Sequence, residues 1–165
     1  MVAADSLISQ AWEALNKVED PEIPVVSVVE LGIVRDVIER NGELEVNITP
    51  TYSGCPATQV IEEMVIEALH NAKLEPFKVN TVLSPPWSTN LISDEGKRKL
   101  KEYGIAPPED ESIDKKALMG EERQVTCPNC GSNNTHMVSQ FGSTPCKSHF
   151  KCKECLEPFD YFKCL

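Results

Sequence analysis

No stretch of this 165-residue chain is apolar for long enough to cross a bilayer. Its opening, Met1-Val2-Ala3-Ala4-Asp5, has neither the basic start nor the apolar run of a secretory signal. A soluble, cytoplasmic protein with no membrane partner is therefore expected. Positive charge is scarce, with 16 Lys and Arg against 26 Asp and Glu and a net charge of −10. Residues 1–104 hold nine basic and seventeen acidic side chains, residues 105–124 three and six, and residues 125–165 four and three. Contact with DNA or RNA requires a basic face to neutralise phosphates, and no segment supplies one. Nucleic acid is excluded on that ground, and a protein partner is expected. A glycine-rich phosphate loop, a dinucleotide fingerprint and a recognisable Ser-His-Asp arrangement are missing too. The Glu-x-x-His spacing of a di-iron bundle occurs once, at Glu67 and His70, and one such pair is not a site. These gaps argue against a catalytic activity of the chain's own.

Cysteine is nearly absent upstream and concentrated downstream: of seven, only Cys55 precedes residue 126. Four of the rest form two pairs, Cys127-Pro-Asn-Cys130 and Cys152-Lys-Glu-Cys155, separated by 21 residues. Two thiolates two residues apart converge on one ion from a tight turn, and two such turns complete a closed tetrahedral zinc site. Disulfides are the alternative, and the reducing interior expected for this chain and the odd cysteine count stand against them. An iron-sulfur cluster on the same four thiolates is the chemical rival, since sequence does not separate iron from zinc. Cys146 and Cys164 keep that rival open as extra ligands, as an exchanging pair or as inert buried thiols. His149, three residues after Cys146, is expected to be merely exposed. The tail has few aliphatic residues and needs a metal cross-link to hold a shape. Its aromatics Phe159, Tyr161 and Phe162 either fill a small core or offer a contact surface, and the core is the favoured reading.

Residues 1–104 read as a globular domain, the Pro-rich, then charged tract 105–124 as a linker, and residues 125–165 as a four-cysteine zinc ribbon. In the first, Leu7, Ile8, Ala11, Trp12, Leu15 and Val18 recur at helical spacing behind Asp5 or Ser6 as N-cap, with Asp20-Pro21 as the stop. Residues 33–39, Asn41-Gly42 and the alternating Leu44, Val46 and Ile48 predict a hairpin, because Asn-Gly accepts the positive φ angles of a type I′ turn. Val60, Ile61, Met64, Val65, Ala68 and Leu69 outline a second helix, residues 77–83 a strand and residues 93–103 a last helix. The order αββαβα predicts an α+β domain of two layers, with helices on a small mixed sheet.

The reactive point of this domain is Thr51-Tyr-Ser-Gly54-Cys55-Pro56. Proline favours the first helical position, which puts Cys55 at the N-cap, where free N–H groups and the helix dipole stabilise a thiolate. The competing reading is a small residue filling space beneath the helix. Gly54 favours the first, since a glycine there turns the chain sharply and leaves room for an approaching molecule.

Asp20-Pro21-Glu22-Ile23-Pro24, the following Val-Glu-Leu31-Gly32-Ile33-Val34 and Thr51-x-x-Gly54-Cys55-Pro56 together resemble the SufT-type iron-sulfur assembly family over residues 5–104. The resemblance implies that Cys55 is the functional thiol, with Asp20, Glu22 and Thr51 nearby. Carboxylates beside a thiol raise its pKa, so they suit a transient iron site better than a nucleophile. For an isolated Asp-Pro-Glu, a solvated turn is the simpler reading.

Further motifs narrow the match. Thr49-Pro-Thr-Tyr-Ser-Gly-Cys-Pro-Ala57, Leu83-Ser-Pro-Pro-Trp87-Ser, Tyr103-Gly-Ile-Ala-Pro-Pro108, Phe141-Gly-Ser-Thr-Pro-Cys146-Lys and the ending Phe162-Lys-Cys164-Leu165 resemble the phenylacetate-degradation protein D family. That resemblance implies an accessory protein of the phenylacetyl-CoA ring epoxidase in aerobic phenylacetate catabolism, with the oxygenase or its reductase as partner and a homo-oligomer as an option. It implies help with iron or iron-sulfur assembly in that complex, with transient iron at Cys55. The alternative is a stoichiometric structural or electron-transfer subunit with a cluster in its tail. Trp87 is expected to pack rather than bind.

Overall fold

Alternation of apolar and polar side chains makes the centre of the first sheet, where strand β2 (Glu43–Ile48) buries Leu44, Val46 and Ile48 and turns the residues between them outward. The computed structural model describes residues 4–52, 54–109, 119–120 and 122–162, and the chain divides into two units, residues 1–96 and 97–165.

In the first unit, helix α1 (Ala4–Leu15) is followed by strand β1 (Val34–Arg40), β2, helix α2 (Thr58–Asn71) and strand β3 (Phe77–Thr81). β1 and β2 are antiparallel around Asn41 and Gly42, whose φ angles of 54° and 80° are those the Asn-Gly turn requires. β3 joins the other edge of β2 in parallel, giving the sheet order β1-β2-β3 and the expected mixed sheet. α1 begins at Ala4, ahead of the expected cap at Asp5 or Ser6, and closes at Leu15, earlier than Asp20-Pro21. Asn16 ends it by donating from its side chain to the Trp12 carbonyl at 3.0 Å. Val18 is buried in the turn beyond. On α2, Ile61, Val65 and Leu69 are buried, whereas Val60, expected on the same face, is exposed because it lies a quarter-turn off that line.

Two loops complete the unit. Ser27 and Glu30 form a reciprocal capping box: the Glu30 N–H donates to Ser27 Oγ at 3.1 Å and the Ser27 N–H to Glu30 Oε2 at 2.9 Å. The turn it starts ends at Gly32, with φ 71°, where a Cβ would stand 2.5 Å from Leu91 Cβ. Trp87 is buried and donates from Nε1 to the Leu31 carbonyl at 2.8 Å, a packing role as expected. Beyond the short 3-10 turn Thr89–Leu91, helix α3 (Asp94–Glu102) starts on Ser93, whose Oγ accepts the Gly96 N–H at 3.0 Å.

The second unit contains strands β4 (Ile105–Ala106), β5 (Thr135–Ser139), β6 (Lys147–Cys152) and β7 (Pro158–Phe162) in the order β4-β7-β6-β5. The two residues at the head of the tract read as a linker are thus a strand, parallel to β7. β7 and β5 flank β6 antiparallel. Phe150, Phe159 and Tyr161 interlock beside Val125 and Ala106, the phenylalanine rings stacked at 5.8 Å and Phe150 against Tyr161 edge-on at 5.8 Å. Phe159, Tyr161 and Phe162 are therefore core residues and not a contact surface. Among the described residues no helix is long and apolar enough to cross a membrane.

Candidate functional site

Two turns of the same design carry the paired cysteines. The Cys127 N–H donates to the Ser132 carbonyl at 2.8 Å, and the Cys152 N–H to the Glu157 carbonyl at 3.0 Å. Each turn reverses on a residue of positive φ directly after its second cysteine, Gly131 at 76° and Leu156 at 64°. The β5–β6 hairpin and the core beneath it bring the two turns together, with Thr135 opposite Cys152 in register. All four sulfurs lie within 4.8 Å of one another. Cys127 and Cys155 are 3.8 Å apart, and Cys130 and Cys152 3.6 Å. A tetrahedral ion with metal–sulfur bonds of about 2.3 Å sets its ligands about 3.8 Å apart, so the four residues fit one.

The electrostatics differ between the four. Backbone hydrogen bonds from Cys155 and then Glu154 hold the Cys152 thiol down to about 7, against the opposing effect of burial; the Glu154 N–H lies 3.4 Å from Cys152 Sγ. At Cys155 the hydrogen bond from the Glu157 backbone acts downward, but burial and the neighbouring thiols outweigh it and push the group up to about 12. Cys130 is also raised: a backbone hydrogen bond from Ser132 acts downward, and burial with the neighbouring thiols prevails. One thiol is thus prepared to ionise first and its neighbours release protons when a cation arrives.

Cys146 is buried just before β6, with its sulfur 3.0 Å from Thr144 Oγ1, and stands outside the converging group. Cys164 lies outside the described residues. None of the six described cysteines forms a disulfide with another. His149 is partly exposed and faces Asp160 across the β6–β7 pair, Nδ1 to Oδ1 3.3 Å.

In the first unit, Cys55 is half-buried on the loop between β2 and α2. It is not the helix cap: α2 starts at Thr58 with Ala57 as N-cap, and Cys55 lies one turn earlier, where its carbonyl accepts the Thr58 N–H at 3.1 Å. Pro56 enters this preliminary turn, which is compatible with its fixed φ, and so the helix register moves forward. Gly54 has φ 89° and nothing within 4 Å of the place a Cβ would take. Thr51 is half-buried on the same loop. Thr49, at its root, is buried, and its Oγ1 has no hydrogen-bond partner, a feature with no signature in the local sequence.

Asp20 is buried and organises its own loop, Oδ1 accepting the N–H groups of Glu22 at 2.9 Å and Ile23 at 2.8 Å. Glu22 is half-buried beside it. Among the described residues the four tail cysteines converge as ligands, whereas Cys55, Asp20 and Glu22 do not form such a group.

The family model described as PaaD zinc beta ribbon domain matches residues 111–163, and that described as Iron-sulfur cluster assembly protein matches residues 8–84. A protein of Escherichia coli described as the D subunit of 1,2-phenylacetyl-CoA epoxidase is 40% identical over 158 residues, covering 96% of this chain and 93% of its own. The Fe-S protein maturation auxiliary factor YitW of Bacillus subtilis is 35% identical over 91 residues, 54% of this chain and 88% of its own. Among solved structures, a domain of unknown function, DUF59, from Bacillus anthracis superposes with a TM-score of 0.54 at 32% identity, covering 59% of this chain and 93% of that one.

Proposed function

The chain belongs to the family of the 1,2-phenylacetyl-CoA epoxidase D subunit, and from that premise we propose that it is an accessory maturation factor that assists iron or iron-sulfur assembly in the epoxidase or its reductase. The observation that carries this reading is the half-buried Cys55 on the loop between β2 and α2, beside Gly54 and within the segment matched by the iron-sulfur assembly family. Iron, alone or in a cluster, is the cargo. Cys55 would hold it as a thiolate after losing its proton to solvent, and hand it over when thiolates of the client replace the Cys55 sulfur. A single protein ligand on a loop makes a weak, exchangeable site, which suits transfer better than storage. Asp20 and Glu22 supply carboxylates on the loop that follows α1, and Thr51 a hydroxyl on the same loop as the thiol.

The tail plays a different part. Cys127, Cys130, Cys152 and Cys155 would hold zinc, whose contribution is to tie the two turns together. The sulfur spacing supports a single ion over a cluster, because bridging sulfides and several irons between four thiolates would hold them farther apart. The description of the Escherichia coli relative as one of the epoxidase subunits favours a second reading, a stoichiometric member of the complex.

One experiment separates them. Replacement of Cys55 by Ser in cells that carry the epoxidase genes is expected to leave tail metal and fold intact while the client is recovered poor in iron and low in activity. Full client metallation with Cys55→Ser would overturn the carrier reading. Iron and sulfide in the purified tail, with visible absorbance, would replace it with a cluster-bearing subunit.

A further inference from the structure

Among the described residues, two buried threonine hydroxyls have no hydrogen-bond partner, those of Thr49 and Thr58, and they stand at the two ends of the loop that carries Cys55. Thr49 is 1% exposed and directly follows Ile48, the last residue of β2, and Thr58 is the first residue of α2. A buried hydroxyl without a partner has given up its bonds to water and gained none in exchange. Stability does not explain either residue. Thr58 lies three residues before Ile61 and seven before Val65, on the buried line of α2, and Thr49 continues a strand in which branched apolar side chains are favoured. Valine has the shape of threonine without the polar atom, and at both places it is the better residue for the fold.

The backbone at both positions is engaged. The Thr49 N–H donates to the Ile33 carbonyl at 2.8 Å, and the Thr58 N–H to the Cys55 carbonyl at 3.1 Å. The second bond ties Thr58 to Cys55 itself, so a shift of Cys55 reaches Thr58 within one turn. The place is also one where ligands are met. β2 and β3 are parallel and joined through α2, and Ile48 and Thr81 are in register, so both strands end level with each other at the loop. In parallel crossover units ligands gather beyond the carboxyl ends of the strands. Unbonded polar groups buried at such a place have a use when the loaded state supplies their partners.

We propose that Thr49 and Thr58 are positioning residues for the cargo: their hydroxyls are without partners in the empty protein and acquire them when iron is bound at Cys55. The loaded loop then has hydrogen bonds that the empty loop lacks, and that difference favours the loaded state. Part of the affinity for iron thus comes from two groups that do not touch the metal. The inference rests on the carrier role proposed above for Cys55; the two unbonded hydroxyls themselves do not.

The test uses the full-length protein with its tail metal in place, reduced and free of oxygen, and ferrous iron alone as the probe. Iron affinity is read by competition with a chromogenic chelator. The melting temperature of the empty protein is read from tryptophan fluorescence, which reports the first unit because both tryptophans, Trp12 and Trp87, lie in it. Thr49→Val and Thr58→Val are each expected to raise the melting temperature by about 4 °C and to weaken iron binding about tenfold. Thr49→Ser and Thr58→Ser keep the oxygen and lose a methyl group. They are expected to lower the melting temperature and to leave iron affinity within about twofold of the wild type. A threonine with a structural role alone does not move stability and affinity in opposite directions. A higher melting temperature in the Val variants with unchanged iron affinity would overturn the proposal. A lower melting temperature in both would overturn it too, since the hydroxyls would then already be bonded in the empty protein. Cys55→Ser keeps the two failures apart: iron binding lost there but intact in both Val variants sinks the positioning role alone, whereas undiminished iron binding in Cys55→Ser sinks the carrier role and this inference with it.

Discussion

Gly131 and Leu156 occupy the same position in two equivalent turns, each directly after the second cysteine of a pair and each with positive φ, 76° and 64°. Glycine adopts that conformation without steric cost, and leucine does not. The Leu156 side chain is 66% exposed, so little packing offsets the strain. Leu156→Gly is therefore expected to stabilise the metal-loaded second unit by about 1 kcal/mol. Gly131→Ala should destabilise it by about 1 kcal/mol, since nothing lies within 4 Å of the added Cβ and only φ opposes it. Urea denaturation followed by far-ultraviolet circular dichroism, with zinc held in excess, checks both signs.

Asp20 supports its loop by accepting two backbone N–H groups while buried. Asp20→Ala leaves the Glu22 and Ile23 donors without that acceptor and is expected to cost about 2 kcal/mol. Asp20→Asn keeps an oxygen in the same place and should recover most of that stability. Client metallation then distinguishes the roles: a carboxylate that touches the cargo is lost in both variants, whereas a loop support is restored by Asn. Thermal melts and client iron content measured together give the answer.

Metal retention should fall with acidity. Cys152, held down to about 7 from its ordinary value of 9.0, favours the folded metal-free form above 9.0, and that contribution is lost as pH falls through about 7. Cys155, raised to about 12, has the opposite sign: its contribution is present below 9.0 and lost as pH rises through about 12. A metal ion overrides this by displacing the thiol protons, so binding releases protons and weakens as pH falls, more steeply below about 7, where Cys152 must also give up a proton. A titration from about pH 8 to about pH 5 with a colorimetric zinc indicator should show release, accompanied by loss of the β5–β7 sheet. Release of metal without loss of structure would show that the core of Phe150, Phe159 and Tyr161 suffices alone.

Much of this architecture is written locally. Asn41-Gly42 dictates its turn because few residues accept two successive positive φ angles, and the alternation of Leu44, Val46 and Ile48 dictates which side of β2 is buried. The Cys-x-x-Cys spacing likewise determines each metal turn, since both sulfurs come from one reversal of the chain. Ser27 and Glu30 carry an equally local signal, Ser-x-x-Glu, that marks their capping box without any tertiary context.

What the sequence determined by itself, then, were most elements of the first unit and the paired thiols, because each depends on residues within a few positions of one another. Tertiary structure decided the rest. The parallel docking of β3 on β2 and the pairing of Ile105 and Ala106 with β7 join strands distant in sequence, whose partners no local pattern names. It moved the start of α2 beyond Cys55, and it gave Asp20 two backbone partners. It also brought the sulfurs of Cys127 and Cys155, 28 residues apart in the chain, to 3.8 Å, since thiols so separated converge only when a sheet and two turns close the distance.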